Sequence, residues 1–202
     1  MPNTFPGLKL QGEIGKFGQL EISDVTGFAE SPDGKVLCGT ESGSLILWEG
    51  NLVQGELTQK DGLFLHQGMI NSVILEDKFV ITTGADGCIK WWDFDEIDNA
   101  EADEIINVPI GDPRAAVTIE GRDKKPAHIV HMIRSENHWL VADGNGKLWK
   151  LNSGNLLFEE ILHFHSGIIY DLALSPTTNA AITLGNDGIV RISLLYSNRV
   201  FR

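Results

Sequence analysis

Four stretches of this 202-residue chain repeat one pattern: a turn glycine followed by a run of β-type character. They are Gly43-Ser44-Leu45-Ile46-Leu47-Trp48-Glu49, Gly87-Cys88-Ile89-Lys90-Trp91-Trp92-Asp93, Gly146-Lys147-Leu148-Trp149-Lys150-Leu151-Asn152 and Gly188-Ile189-Val190-Arg191-Ile192-Ser193-Leu194. The anchoring glycines lie 44, 59 and 42 residues apart. A period of about 40–45 residues is that of a small four-stranded unit that buries its faces only by stacking on its neighbours. Two intervals fit this period, and the middle one carries an insertion of roughly 15 residues.

Each unit reads as hairpins. In the second, Phe79–Thr83 is β-branched or aromatic, as strands prefer. Asp86-Gly87 is a turn pair, because Gly accepts positive φ and Asp bonds its own backbone. Ser31-Pro32-Asp33-Gly34 is a second turn signal, joining an inner strand to Lys35–Thr40. Leu52–Leu57 reads as the outer strand of the first unit, and the apolar residues among 156–162 as that of the third. Leu8-Lys9-Leu10 is a candidate outer strand of an earlier unit. Trp91 and Trp92 are neighbours on a strand and point to opposite faces. One is expected to pack between units, the other nearer the rim.

The second unit carries more than a pattern. His66 precedes its first strand, Thr83 ends its second, Asp86 sits in the turn and Trp92-Asp93 closes the third. With these residues it resembles a WD repeat. The resemblance implies an all-β fold, a β-propeller segment of about four blades belonging to a larger ring. It also implies that His66, Thr83, Asp86 and Trp92 form a hydrogen-bonded network, because buried donors and acceptors must be satisfied. The other units depart from it. The first keeps Trp48-Glu49, lacks a His and has Ser42 for the turn Asp. The third has Asn145 in the turn and Leu151-Asn152 for Trp-Asp. The fourth keeps His165 and Asp187 but has Ser193 in the Trp position.

The blade units are expected at about 21–65, 66–127, 128–164 and 165–202, with an acidic insertion at about 95–127. From Asp93 to Glu104 the chain has seven acids and no Lys or Arg, which reads as a flexible acidic loop. Ile105–Ile110 is expected to recover the outer strand of the second blade. The last unit has no room for an outer strand of its own. An open arc would leave blade edges ready to pair, so a larger ring or a closing partner is expected.

Charge bounds the partners. With 28 acidic and 16 basic residues the net charge is −12, and no basic patch suited to phosphate backbones is visible. Nucleic acid and anionic membranes are therefore not expected partners, whereas basic protein surfaces are. No apolar run reaches about 18 residues, so no membrane span is expected. Met1–Pro6 lacks both a basic region and an apolar run, so no secretory leader is expected and the protein reads as intracellular. Cys38 and Cys88 read as small packing residues on or beside strands.

No catalytic centre, cofactor or metal is expected. There is no Gly-x-Ser-x-Gly elbow and no phosphate-loop spacing. His163-Phe164-His165 and His128-Ile129-Val130-His131 lack a third ligand nearby. Asp93, Asp95 and Asp98 start like a calcium loop, but no Gly follows where that loop needs one.

Within the family, Asp33–Glu41, Leu47–Gly50, His66–Ile70, Phe164–Gly167 and Ser175–Thr177 are similar to axonemal WD-repeat proteins, over roughly residues 23–195. That resemblance implies a ciliary or flagellar scaffold in a tether between inner-arm dynein and the doublet microtubule. The implied partners are a dynein heavy chain, a sister WD-repeat protein and tubulin. The alternative is an adaptor of another intracellular complex, such as a ubiquitin-ligase receptor or a trafficking scaffold.

Overall fold

The computed structural model describes residues 16–17, 20–21, 25–50, 52–100, 107–121, 123–135, 138–163, 165–175, 177–178 and 180–195. The Leu8–Leu10 expectation lies outside them. Two short strands, β1 (Lys16–Phe17) and β2 (Leu20–Glu21), pair with each other. Four larger sheets follow. Blade 1 holds β3 (Val25–Glu30), β4 (Lys35–Thr40), β5 (Leu45–Glu49) and β6 (Leu52–Gln59). Blade 2 begins with β7 (Ile70–Glu76), β8 (Phe79–Gly84) and β9 (Cys88–Asp93). The insertion then supplies helix α1 (Phe94–Asp98), β10 (Asn107–Ile110) and β11 (Ala115–Thr118). Blade 3 holds β12 (Ile129–Arg134), β13 (His138–Asp143), β14 (Lys147–Asn152) and β15 (Phe158–His163). Blade 4 holds β16 (Ile169–Ser175), β17 (Ala180–Gly185) and β18 (Val190–Leu194).

The blades are antiparallel meanders, and the insertion is the exception. Residues 105–110 were expected to give blade 2 its outer strand. Instead β10 crosses back and pairs in parallel with β6, making blade 1 five-stranded, while β11 takes the outer place in blade 2. The cause is apolar. Val108 and Ile110 of β10, with Ile97 of α1, are buried in the cluster that joins blades 1 and 2. Nor is the first part of the acidic segment a loose loop. Asp93 caps α1 by accepting from the Asp95 N–H, Asp98 pairs with Lys35, and Glu96 and Asp93 face Arg114 at 2.5 and 3.5 Å.

The core lies between blades, in three clusters. Leu37, Leu45 and Leu47 of blade 1 meet Ile70, Val73, Val80 and Trp92 of blade 2. Ile81, Ile89 and Trp91 of blade 2 meet Ile129 and Met132 of blade 3. Leu140, Ala142 and Leu148 of blade 3 meet Ile169 and Leu172 of blade 4. Trp91 and Trp92 do face opposite ways, as alternation along a strand requires. Neither sits at the rim: each is buried in a junction, one on either side of blade 2.

Backbone closes each junction. The N–H of His66 donates to the carbonyl of Gly43 at 3.0 Å, that of Ile119 to Gly87 at 2.9 Å and that of His165 to Gly146 at 3.0 Å. The incoming chain runs so close to these turns that only glycine fits. A Cβ on Gly146, at φ +81°, would lie 2.1 Å from the His165 carbonyl oxygen and 2.5 Å from that of Gly167. Gly34, at φ +85° in the β3–β4 turn, has nothing within 4 Å of the same position.

These two glycines separate backbone strain from junction packing. Gly34→Ala is expected to cost about 1–2 kcal/mol, the penalty of a left-handed residue alone. Gly146→Ala adds a collision with backbone and is expected to exceed about 4 kcal/mol. Denaturant unfolding of both variants checks the difference, and equal losses would refute the junction account.

Candidate functional site

The buried polar groups of blade 2 form one chain of hydrogen bonds. His66 is 2% exposed, and its Nδ1 lies 3.0 Å from Asp86 Oδ1. Its Nε2 lies 2.7 Å from Thr82 Oγ1, which also accepts the Trp92 indole N–H at 2.9 Å. Asp86 accepts as well from the N–H groups of Gln67 and Cys88, at 3.0 and 3.1 Å. In the neutral ring Nδ1–H donates to the carboxylate, Nε2 accepts the Thr82 hydroxyl hydrogen, and the remaining lone pairs of that hydroxyl face Trp92. Burial pulls the Asp86 pKa up. The His66 hydrogen bond, with those of the two backbone N–H groups, outweighs it and holds the carboxyl below its ordinary value.

The threonine is not the expected one. The resemblance puts Thr83 in this network, but Thr82 occupies it. Register decides this. Val80 stands opposite Trp92, and Thr82 lies two residues along on the same face, whereas Thr83 is opposite Ile89 and faces blade 3. Among the described residues Thr83 Oγ1 is buried without a hydrogen-bond partner.

Blade 4 builds the same device without the tryptophan. His165 Nδ1 lies 2.8 Å from Asp187 Oδ1, and Nε2 lies 2.8 Å from Thr183 Oγ1, a residue that sequence reasoning missed. Asp187 also accepts from the N–H groups of Ile189 and Ser166. The His165 hydrogen bond leads these interactions in lowering its pKa from 3.8 to about 2. Ser193 pairs with Ala181 in the register where Trp92 pairs with Val80.

Blades 1 and 3 solve the turn differently. In blade 1 the Thr40 hydroxyl accepts from the Ser44 N–H at 3.1 Å and lies 2.9 Å from the Ser42 hydroxyl. Trp48 does not join a His–Thr–Asp chain. Its indole stands near Cys38, the residue in the place of Thr82, whose thiol pKa is pushed up by burial. In blade 3 Asp143 accepts from the N–H groups of Asn145 and Lys147, both at 2.9 Å, and from the Trp149 indole at 3.0 Å. A signal for this split was present in the sequence. Gly84 and Gly185 stand where the His rings lie, and a Cβ there would come within 2.4 and 2.1 Å of Nδ1. The blades without His have Thr40 and Asp143 at that position and use the side chain on the turn instead.

Beside the blade 2 network lies a cleft of about 510 Å³, lined by Leu63, Phe64, Gln67, Asp86, Thr118 and Pro126 among others. Leu63 and Phe64 are 61% and 47% exposed. Both nitrogens of the His66 ring are engaged, so the ring holds the loop rather than offering a base. His128 and His131 link blades: His128 lies beside Asn71, and His131 donates to the Tyr170 carbonyl. Among the described residues no cluster of three His, Cys, Asp or Glu side chains could hold a metal ion, and no helix is long and apolar enough to cross a membrane.

The one unit with a complete network is also the one that a family profile matches: residues 59–93 fit the WD domain, G-beta repeat. The chain contains a WD repeat. This WD-repeat chain is 40% identical over 203 residues to cilia- and flagella-associated protein 44 of Mus musculus, covering 95% of the chain and 11% of that relative. Against the protein of the same name in Trypanosoma brucei brucei it is 34% identical over 225 residues, covering 95% of the chain and 13% of the relative. In Chlamydomonas reinhardtii the figure is 53% over 76 residues, 38% of the chain and 4% of the relative. The chain therefore spans a small part of the length of these relatives. Solved structures share the fold at low identity. A chain of the mitotic checkpoint complex superposes with a TM-score of 0.63 at 15% identity, over 87% of this chain and 50% of that one. The computationally designed Ika4 protein gives 0.61 at 17%, over 93% and 100%.

Two predictions follow from the networks. Thr82→Val strands two buried polar groups, at about 1–3 kcal/mol each, whereas Thr83→Val removes an unpaired hydroxyl and should be neutral or stabilising. Denaturant midpoints of the pair test the assignment. Asp187 titrates lower when folded than when unfolded, so its stabilisation is complete above pH 3.8 and lost as pH falls toward about 2. Asp187→Asn should flatten the pH dependence of unfolding over that window, read as midpoint against pH for both proteins.

Proposed function

We propose that this WD-repeat chain is a non-catalytic scaffold of the ciliary and flagellar axoneme. In this reading it works in a tether that holds an inner-arm dynein motor domain to the doublet microtubule and supports beating. Its partners are the dynein heavy chain, cilia- and flagella-associated protein 43 and tubulin. The carrying observation is 40% identity, along 95% of the chain, to a relative whose name places it with cilia and flagella. The acidic surface, at net charge −12, suits basic protein partners.

The mechanism in this reading is mechanical. Blades clamped by backbone bonds and buried apolar clusters form a stiff body, and stiffness limits how far an attached motor moves. The non-catalytic assignment draws on the same features: the two network histidines are buried and engaged at both ring nitrogens.

The test is the fate of the endogenous, tagged protein when flagellated cells are extracted with detergent. Retention on the axoneme, with crosslinks to dynein and to the sister WD-repeat protein, is the expected result. Release with the soluble fraction would leave a propeller scaffold of another complex, such as a ubiquitin-ligase receptor or a trafficking adaptor.

A further inference from the structure

The residue before the turn glycine differs from blade to blade: Ser42, Asp86, Asn145 and Asp187. Asp86 and Asp187 are held in place, each by its His ring and two backbone N–H groups. Blade 3 caps its turn from the strand instead, through Asp143, which leaves the Asn145 side chain without that task. Asn145 is exposed, and among the described residues its carboxamide makes no hydrogen bond. The carboxamides of Asn71, Asn99, Asn152, Asn155 and Asn186 are each held by one.

Asn145 is also the one asparagine of the chain that a glycine follows. An asparagine carboxamide is attacked at Cγ by the main-chain nitrogen of the next residue, and glycine, lacking a Cβ, leaves that nitrogen unshielded. The Gly146 N–H closes a β-turn on the Asp143 carbonyl, with Asn145 in the third place. That bond is 3.2 Å, the long end of the ordinary range, so the nitrogen is loosely held. A bulkier residue cannot shield it, because a Cβ on Gly146 would strike the His165 carbonyl oxygen. The packing that demands the glycine therefore also creates the reactive pair. The other turns lack this route, since serine has no carbonyl carbon to attack and the held carboxylates of Asp86 and Asp187 are poor electrophiles.

We propose that Asn145-Gly146 is a self-modifying site, which converts to an isoaspartyl linkage and so loosens the junction between blades 3 and 4. The Gly146 nitrogen bonds to Asn145 Cγ, the Cγ–Nδ2 bond breaks, and the amide proton leaves with Nδ2 as ammonia. Water then opens the five-membered imide. Opening at the main-chain carbonyl leaves residue 145 joined to Gly146 through Cγ, with one extra backbone carbon and a new carboxylate. The turn has no slack for that carbon. The Gly146 carbonyl accepts the His165 N–H at 3.0 Å, and the His165 and Gly167 carbonyls crowd the Gly146 Cα. Just beyond, Leu148 packs on Ile169 and Leu172. Lengthening the chain at residue 145 shifts the acceptor from which blade 4 hangs.

The test is to incubate the full chain, folded, in mildly alkaline buffer. Isoaspartate is then read by isoaspartyl methyltransferase, which moves a labelled methyl group from S-adenosylmethionine onto the new carboxylate. Label is expected in the peptide that holds residues 145–146, and not in those that hold Asn71 or Asn155. In the labelled fraction, hydrogen exchange of blade 4 amides should be faster than in fresh protein, with blades 1 and 2 unchanged. Asn145→Gln, whose imide would need a six-membered ring, should stay unlabelled and keep blade 4 exchange slow. Fresh Asn145→Asp carries the charge without the extra carbon and should exchange like the parent chain. A folded chain unlabelled at 145–146, or labelled there only after unfolding in urea, would overturn the site. Label without faster exchange in blade 4, or an Asn145→Asp variant as open as the labelled protein, would overturn the effect on the junction.

Discussion

Each junction depends on a carbonyl that must accept a hydrogen bond from the chain that leads into the next blade. A blade is a small sheet with two apolar faces, and neither is covered within the blade itself. Stacking covers them only if the connection returns tightly over the preceding turn. The bonds to the carbonyls of Gly43, Gly87 and Gly146 fix that return. The absence of a Cβ is then a requirement of packing as much as of φ: at Gly43 and Gly146 the nearest atoms are backbone carbonyls that cannot move aside, and at Gly87 the Pro126 ring and the Ala127 backbone close the space.

The returning connection brings polar groups into a dry place, and each must be satisfied. Blades 2 and 4 do this with a histidine laid across a glycine, between a turn aspartate and a strand threonine. Blades 1 and 3 give up the histidine and cap the turn from the strand, with Thr40 or Asp143 in the glycine position. The two solutions exclude each other sterically. A side chain there would occupy the space of the ring, and without the ring a glycine there would leave the turn N–H groups without that acceptor. The departures of blades 1 and 3 from the repeat pattern are therefore a second solution rather than decay of the first.

Much of this was legible in the sequence, because the repeat is periodic and its turns are local. The blade strands and the turn glycines follow from short-range spacing, and the partnership of His66 with Asp86 from the resemblance to a WD repeat. What escaped was long-range or depended on parity. Thr82 and Thr83 are adjacent and chemically identical, and only the opposition of Val80 and Trp92 assigns them to faces. That register was not read from the sequence. Thr183 escaped because Ser193 removed the tryptophan that draws attention to such a residue. The apolar run ending at Ile110 reads as a strand from composition, but composition does not say that its partner is β6 rather than β9.

The insertion shows which force decides such a choice. Its acids suggest an electrostatic role, and they do find Lys35 and Arg114. Ion pairs near the surface contribute only about 0–1 kcal/mol each. Burying Ile97, Val108 and Ile110 contributes about 1.5–3 kcal/mol apiece. The apolar anchors therefore set the path, and the charges keep the rest of the segment soluble along it. The path leaves blade 2, adds a strand to blade 1 and returns as the outer strand of blade 2, so the insertion ties together the two blades on either side of the junction that holds Trp92. Pulling blade 1 from blade 2 would have to expose those anchors as well as the junction itself. A segment that interrupts the repeat in sequence thus reinforces it in space.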